Sequence, residues 1–378
     1  MSGAPLRAVL PAAFAVFLSF FLLLSVLPLY ARALGVADGA IGVVMGAFAL
    51  SAMVLRPWAG WAADRYGRRP LMVAGSLLFV LASPAYGLAS GAAGLTVVRL
   101  LHGAGMGLFP TAASAVVTDL APPDRRGQML GLYGATASVA MAVGPVTGVA
   151  LVQHWGFAPL FALSGLIAAG GVAWTLSQPE TLRDRRAFAF DPRSVLERSA
   201  LFPGLVVLCL MLTYGAQVSF LPLHADAQGV NPGVFFLVFA LVVAIVRGVA
   251  GRLSDRVGRS HVAAAGLVVT AAALAVQSLT SGATALALAG ALYGIGFGTA
   301  QPAIMAWSVD AVDPGRRGRA MGTFYTALEL GIAIGAMSAG LAVGLAGFTT
   351  TFLGAAAAAL AGATLAVARP SGGRPASP

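Results

Sequence analysis

Between residues 56 and 144 of this chain, a series of marker residues recurs 191 residues later without a gap. Arg56, Gly60, Asp64, Arg65, Gly67 and Arg68 return as Arg247, Gly251, Asp255, Arg256, Gly258 and Arg259. Gly103, Gly105 and Gly107 return as Gly294, Gly296 and Gly298. The offset holds without a gap through Asp119/Asp310, Arg126/Arg317, Gly127/Gly318, Gly131/Gly322 and Gly144/Gly335. Whatever the first half folds into, the second must fold into as well, which narrows the choice to architectures made by internal duplication.

The residues between these markers settle the solvent. Hydrophobic residues make up 58% of the 378, and charged residues only 10%. A soluble domain carries about a quarter charged residues. This much apolar surface cannot be hidden from water by folding alone, so lipid must take part of it. Apolar runs of spanning length fall at about 9–31, 39–61, 70–90, 95–118, 127–152 and 155–177, and again at about 201–223, 233–251, 260–281, 284–308, 319–344 and 346–368. The runs are continuous and rich in Ala, Leu and Gly, which excludes the alternating pattern of barrel strands. The expected fold is an all-α membrane protein of twelve transmembrane helices in two pseudo-symmetric six-helix bundles. Like halves in one apolar chain point to a transporter with its path between them.

Charge sets the expected topology. All 23 basic residues are Arg. They gather between the second and third spans (Arg65, Arg68, Arg69), the fourth and fifth (Arg125, Arg126), the eighth and ninth (Arg252, Arg256, Arg259) and the tenth and eleventh (Arg316, Arg317, Arg319). Arg32 alone stands in a loop of the opposite side. Positive loops stay inside, so both termini are expected in the cytoplasm. The net charge of +10 is therefore topogenic, and nucleic acid is not an expected partner. The first apolar run is too long for a signal peptide and is read as a retained helix. Residues 1–177 and 201–368 form the expected bundles, 178–200 a cytoplasmic linker and 369–378 a disordered tail. The one cysteine, Cys209, excludes an intrachain disulfide. Neither a metal cluster nor a nucleotide-binding loop nor a nucleophile–base motif is visible, so no enzyme activity, metal or cofactor is expected.

The segment Gly60-Trp-Ala-Ala-Asp64-Arg65-Tyr-Gly67-Arg68-Arg69 resembles the loop motif of the major facilitator superfamily, G-x-x-x-D-R-x-G-R-R between helices 2 and 3. The copy Gly251, Asp255, Arg256, Gly258, Arg259 is partial, since Ser260 replaces the last Arg. Gly60 and Asp64 share a helix face, and Gly60 is expected to admit a close neighbouring helix. Asp64 at a helix C-terminus should seek an Arg or another helix's N-terminus. The resemblance implies a gating role for this loop. Arg56 and Arg247, two turns further into the membrane, are expected to pair with Asp119 and Asp310 as part of the same gate.

Three further segments bear on transport. Ala140-Met-Ala-Val-Gly144-Pro145-Val-Thr-Gly148 resembles the family's exporter element G-x-x-x-G-P-x-x-G-G, with Ala140 and Val149 in two glycine places. Small residues at this spacing pack helices closely, and the resemblance implies an antiporter. Arg99-Leu-Leu-His102-Gly103 resembles R-x-x-Q-G, an element linked in the family to proton movement; His102 places a titratable group there. Glu329 falls near the bilayer midplane, where a carboxyl that gains and loses a proton is what proton coupling needs. Gln178-Pro-Glu180-Thr resembles the P-E-T after helix 6 of twelve-helix exporters. Tyr214, Gln217, Tyr293, Gln301 and Trp307 are candidates for a substrate surface, on helices that line the cavity in the family. The reading is a proton-coupled exporter of small organic compounds in a bacterial cytoplasmic (inner) membrane, working as a monomer by alternating access and driven by the proton gradient. A proton symporter or facilitator importing a small solute is the alternative.

Overall fold

In a computed structural model of the chain, residues 4–122, 125–182, 196–313 and 316–369 are described. Most of the 178–200 linker and all of the tail past Arg369 lie outside them. The chain divides into two compact units, Met1–Phe190 and Asp191–Pro378, and among the described residues the regular structure is entirely helical.

The first unit contains α1 (Ala4–Leu24), α2 (Leu27–Ala33), α3 (Asp38–Tyr66), α4 (Arg68–Ala85), α5 (Gly91–Leu120), α6 (Arg126–Trp155) and α7 (Phe157–Leu176). α1 and α2 together make one span, Val9–Ala33. Pro28 interrupts it, because a proline cannot donate to the carbonyl four residues back, and that residue, Leu24, is where α1 stops. α1 packs on α6 and α7, α3 on α5, and α4 on α5 and α7.

The second unit contains α8 (Leu201–Ala227), α9 (Gly233–Val257), α10 (Arg259–Leu279), α11 (Ala283–Asp310) and α12 (Arg317–Ala368). α12 pairs with α8 and α10, and α11 with α9 and α10. Among the described residues, eleven elements are long and apolar enough to cross a membrane. The last, α12, has 52 residues, broken at Gly347, where φ 77° and ψ 178° leave the helical region. The expected spans at 319–344 and 346–368 fall on its two arms.

The 191-residue offset is reproduced in several of the closest helix contacts. A Cβ added at Gly103 would overlap the Phe48 carbonyl, and one at Gly294 would meet the Phe239 carbonyl at 3.0 Å. Gly75 lies against Phe109, and Gly266 against Ala300. Each pair of equivalents is 191 apart. Glycine here removes the one atom that would hold two helix backbones apart.

Two expectations about the loop motif need correction. Asp64 stands at the C-terminal end of α3 as expected, but Arg65 lies in that same last turn and not in a connection; Gly67 alone separates α3 from α4, and Gly258 alone separates α9 from α10. Both glycines have positive φ (117° and 104°), the conformation that lets a chain reverse through one residue. Gly60 does not admit a close helix either: a Cβ there meets nothing within 4 Å, and the same holds at Gly251.

Candidate functional site

Around Gly67 the charges form a connected set. Arg68 pairs with Asp64 one turn back and with Asp119 at the end of α5, its Nε 2.9 Å from Oδ2. The repeat does the same: Arg259 pairs with Asp255 and with Asp310 at the end of α11, Nε to Oδ2 at 3.1 Å. Asp119 also accepts from the Thr181 hydroxyl at 2.9 Å. The two aspartates expected to pair with Arg56 and Arg247 are thus held by the loop arginines Arg68 and Arg259. Arg65 lies over the Trp61 and Tyr66 rings, 5.6 and 5.7 Å from their centroids. Arg69 donates to the Leu176 carbonyl at the end of α7. Arg256 is exposed.

Glu180 completes the first loop. Its carboxylate accepts from the backbone N–H of Arg68 (3.0 Å) and Arg69 (3.1 Å), and from those of Thr181 and Leu182 (both 2.9 Å). This caps the start of α4, where free N–H groups and the helix dipole favour a negative charge. A Cβ on Gly67 would run into that carboxylate, so glycine is required there by space as well as by φ. Replacing Glu180 with alanine is expected to lower the melting temperature by a few degrees, the loss of a helix cap costing about 1 kcal/mol; an unchanged melting curve would remove the cap as a stabilising contact.

Within the first unit, Arg99 and His102 on α5 are buried, 2% and 0% exposed. Tyr86, on the turn after α4, places its hydroxyl 3.0 Å from His102 Nδ1. Phe20, Phe48 and Phe79 surround the imidazole, with centroid distances of 5.9, 5.6 and 4.5 Å. Arg99 stacks over Phe48 at 4.4 Å and donates through Nη2 to the Met45 carbonyl at 3.3 Å. Its Nε and Nη1, and Nε2 of His102, have no hydrogen-bond partner among the described residues. The i, i+3 spacing did bring Arg99 and His102 together; the aromatic ring around them had no sequence signal.

In the second unit the five expected substrate residues separate. Tyr293 is fully buried, its hydroxyl bonded to Thr213 at 2.7 Å and its ring packed on Phe235, Phe239 and Phe297. Gln217 and Gln277 exchange two amide bonds of 2.8 and 2.9 Å, joining α8 to α10. Trp307 packs on Phe202. These three are bound into the packing of the unit. Gln301 instead accepts from Arg247 Nη2 at 2.7 Å. Tyr214 lies within electrostatic reach of both Arg247 and Glu329, and Tyr325 within reach of Arg247. So Arg247 joins a group with Tyr214, Gln301 and Tyr325, and Glu329 lies within electrostatic reach of the same Tyr214. Glu329 is 5% exposed and twelve residues into α12, about 18 Å from its start.

On α6, Gly144 and Gly148 face α1. A Cβ on Gly144 would come within 2.6 Å of Phe21 Cβ, and one on Gly148 would overlap the Leu22 carbonyl. Ser25 donates to the Pro145 carbonyl at 3.2 Å. In the second unit Gly331 and Gly335 meet the Leu208 and Leu212 carbonyls of α8 in the same way. A family model described as Major Facilitator Superfamily matches residues 9–246 and 232–378. The chain belongs to the major facilitator superfamily. As a member it is a multi-pass membrane transporter. The staphylopine export protein of Staphylococcus aureus is 25% identical over 345 residues, 86% of each chain. Multidrug resistance protein 2 of Bacillus subtilis is 23% identical over 309 residues, 78% of this chain and 77% of that one. The structure of the human organic anion transporter MFSD10 superposes with a TM-score of 0.72 at 21% identity, over 96% of this chain and 98% of the other, and shows the shared fold.

Within the superfamily frame, sequence reasoning passed over Tyr86 and Tyr325 as site neighbours and undervalued Glu180. Tyr86 is placed by a short 3-10 turn, Tyr86–Leu88, that hydropathy cannot distinguish from the span before it. Glu180 had only the three-residue P-E-T match; its capping role requires α7 to end beside the start of α4, which is a tertiary fact.

Proposed function

We propose that this transporter exports small organic compounds in exchange for protons, through a membrane crossed twelve times with both termini in the cytoplasm and, given the composition, in a bacterial cytoplasmic membrane. The twelve crossings follow from counting the arms of α12 on either side of Gly347 as two, because a straight helix of its length would measure about 78 Å, more than twice the hydrocarbon thickness. The observation that carries the proton coupling is Glu329: a buried carboxyl deep in a membrane helix, when every other described Asp and Glu stands at or beyond a helix end. Such a carboxyl is expensive to hold charged in lipid and is suited to exchanging a proton. Arg99 and His102, with the Tyr86 hydroxyl on the imidazole, are a second proton-handling pair in the first unit. Export is supported by the close α1–α6 approach at Gly144, Pro145 and Gly148, and by relatives whose names record export and drug resistance. The units alternate in opening to the two sides. The loops of Asp64, Arg65, Gly67, Arg68 and Arg69, and of Asp255, Arg256, Gly258 and Arg259, gate that motion.

Everted membrane vesicles, acidified inside and holding a pH-sensitive dye, test the reading. A panel of candidate compounds should include some whose addition alkalinises the lumen. Absence of any response, with uptake of the compounds still measurable, would sink proton-coupled export in favour of import or facilitation. The gating role has its own test. The Asp64 side chain is 57% exposed, so its ion pair with Arg68 contributes about 0–1 kcal/mol. Asp64→Asn should leave the melting temperature within a few degrees of wild type while cutting turnover several-fold; normal turnover would discard the gate.

A further inference from the structure

Arg247 stands fourteen residues into α9, about 15 Å from its Val257 end and about 21 Å from its start, inside one of the most apolar spans of the chain. Its guanidinium reaches Gln301 of α11 and lies within electrostatic reach of Tyr214 of α8 and Tyr325 of α12. The residue as a whole is exposed. Among the described residues it makes no ion pair. The loop arginine Arg259 holds Asp310, and Arg247's acceptor is the neutral amide of Gln301. The titratable groups within electrostatic reach of it are the phenols of Tyr214 and Tyr325. A permanent cation at this depth is costly to keep without an anion. A guanidinium with one edge fixed by an amide presents its remaining N–H groups in the fork that binds an oxyanion through two hydrogen bonds.

We propose that Arg247 is the substrate's anion-binding residue, and that the compounds carried bear a carboxylate. Gln301 orients the guanidinium, and Tyr214 and Tyr325 supply ring faces and hydroxyls beside the bound group. The carboxylate completes a charge pair that the protein leaves incomplete, so it binds when the site opens and leaves with its compound. This rests on the exporter reading and specifies its substrates: acids and zwitterions over neutral or purely cationic compounds. Glu329, within electrostatic reach of the same Tyr214, carries the proton and not the ligand's charge.

The test uses the purified full chain in lipid nanodiscs, with binding read by quenching of tryptophan fluorescence. The probes are norfloxacin and its methyl ester, and benzoate and benzamide, each pair differing in the carboxylate; phenyl phosphate and ethidium complete the set. Wild type should prefer each acid over its neutral partner by about tenfold or more, the value of a hydrogen bond to a charged group. Arg247→Gln should erase the preference and Arg247→Lys should keep part of it. Gln301→Glu, nearly isosteric, should erase it too by supplying Arg247 with an internal carboxylate, and it keeps the test usable if Arg247 variants do not fold. Equal binding of acid and ester, a preference for ethidium or phenyl phosphate, an acid preference that survives in Arg247→Gln and Gln301→Glu, or no binding of any probe would each overturn the proposal. A chain that binds the acids but drives no proton flux would instead overturn the exporter reading and leave this site standing.

Discussion

Replacing Glu329 with glutamine is expected to abolish compound-driven alkalinisation in everted vesicles while leaving folded protein and compound binding in place. The amide has nearly the shape of a neutral carboxyl and can keep the hydrogen bonds that a protonated carboxyl makes, but it cannot release a proton. At about 18 Å into α12 and 5% exposed, Glu329 is set apart from Asp64, Asp119 and the other described acids, which stand at or beyond helix ends. If it is the proton carrier, the variant should exchange compound across the membrane without regard to the pH gradient. Its proton-linked flux should fall by at least an order of magnitude, since a coupled step has no substitute route. Glu329→Asp should retain part of the flux. Unchanged pH dependence in Glu329→Gln would remove this residue as the carrier and direct attention to His102.

The same small substitution at two glycines should give opposite results. Gly148→Ala places a methyl group into the Leu22 carbonyl of α1, a backbone atom that moves only if the whole helix moves. The cost of such overpacking is about 1–3 kcal/mol, and Gly148→Leu should prevent accumulation of folded protein. Gly60→Ala adds its methyl to open space and replaces glycine with a better helix former, so it should melt at or above the wild-type temperature. Melting curves of the two variants in one detergent decide this. Equal melting temperatures would mean that α1 and α6 are not held at the distance described.

That contrast also marks how far the sequence could be read. The spans were legible because lipid demands long apolar runs, and their pairing was legible because a constant offset demands like contacts; Phe48 and Phe239 follow from Gly103 and Gly294. The break at Gly347 fell within two residues of the expected gap. Gly60 was misread because a glycine in a motif looks the same whether it admits a neighbour or only a bend. Arg247 was assigned to Asp310 by helical spacing, yet Arg259 reaches the same carboxylate from across a one-residue turn. Tyr293 and Gln217 were read as ligands because polar groups in a span invite it; their partners, Thr213 and Gln277, lie on other stretches of chain, where no one-dimensional pattern links them.

The Glu180 carboxylate gives the duplication a direction. After α7 the chain supplies an acid that closes over the Gly67 turn; at the 191-residue offset Glu180 is answered by Ser371, and residues 330–378 hold no Asp or Glu to take its place at Gly258. A chimera assembled from two copies of the first half would carry two such clasps, and one assembled from two copies of the second would carry none. The two halves are alike as plans but not interchangeable as parts. An ancestral sequence with identical halves would have had to do without the clasp or carry it twice.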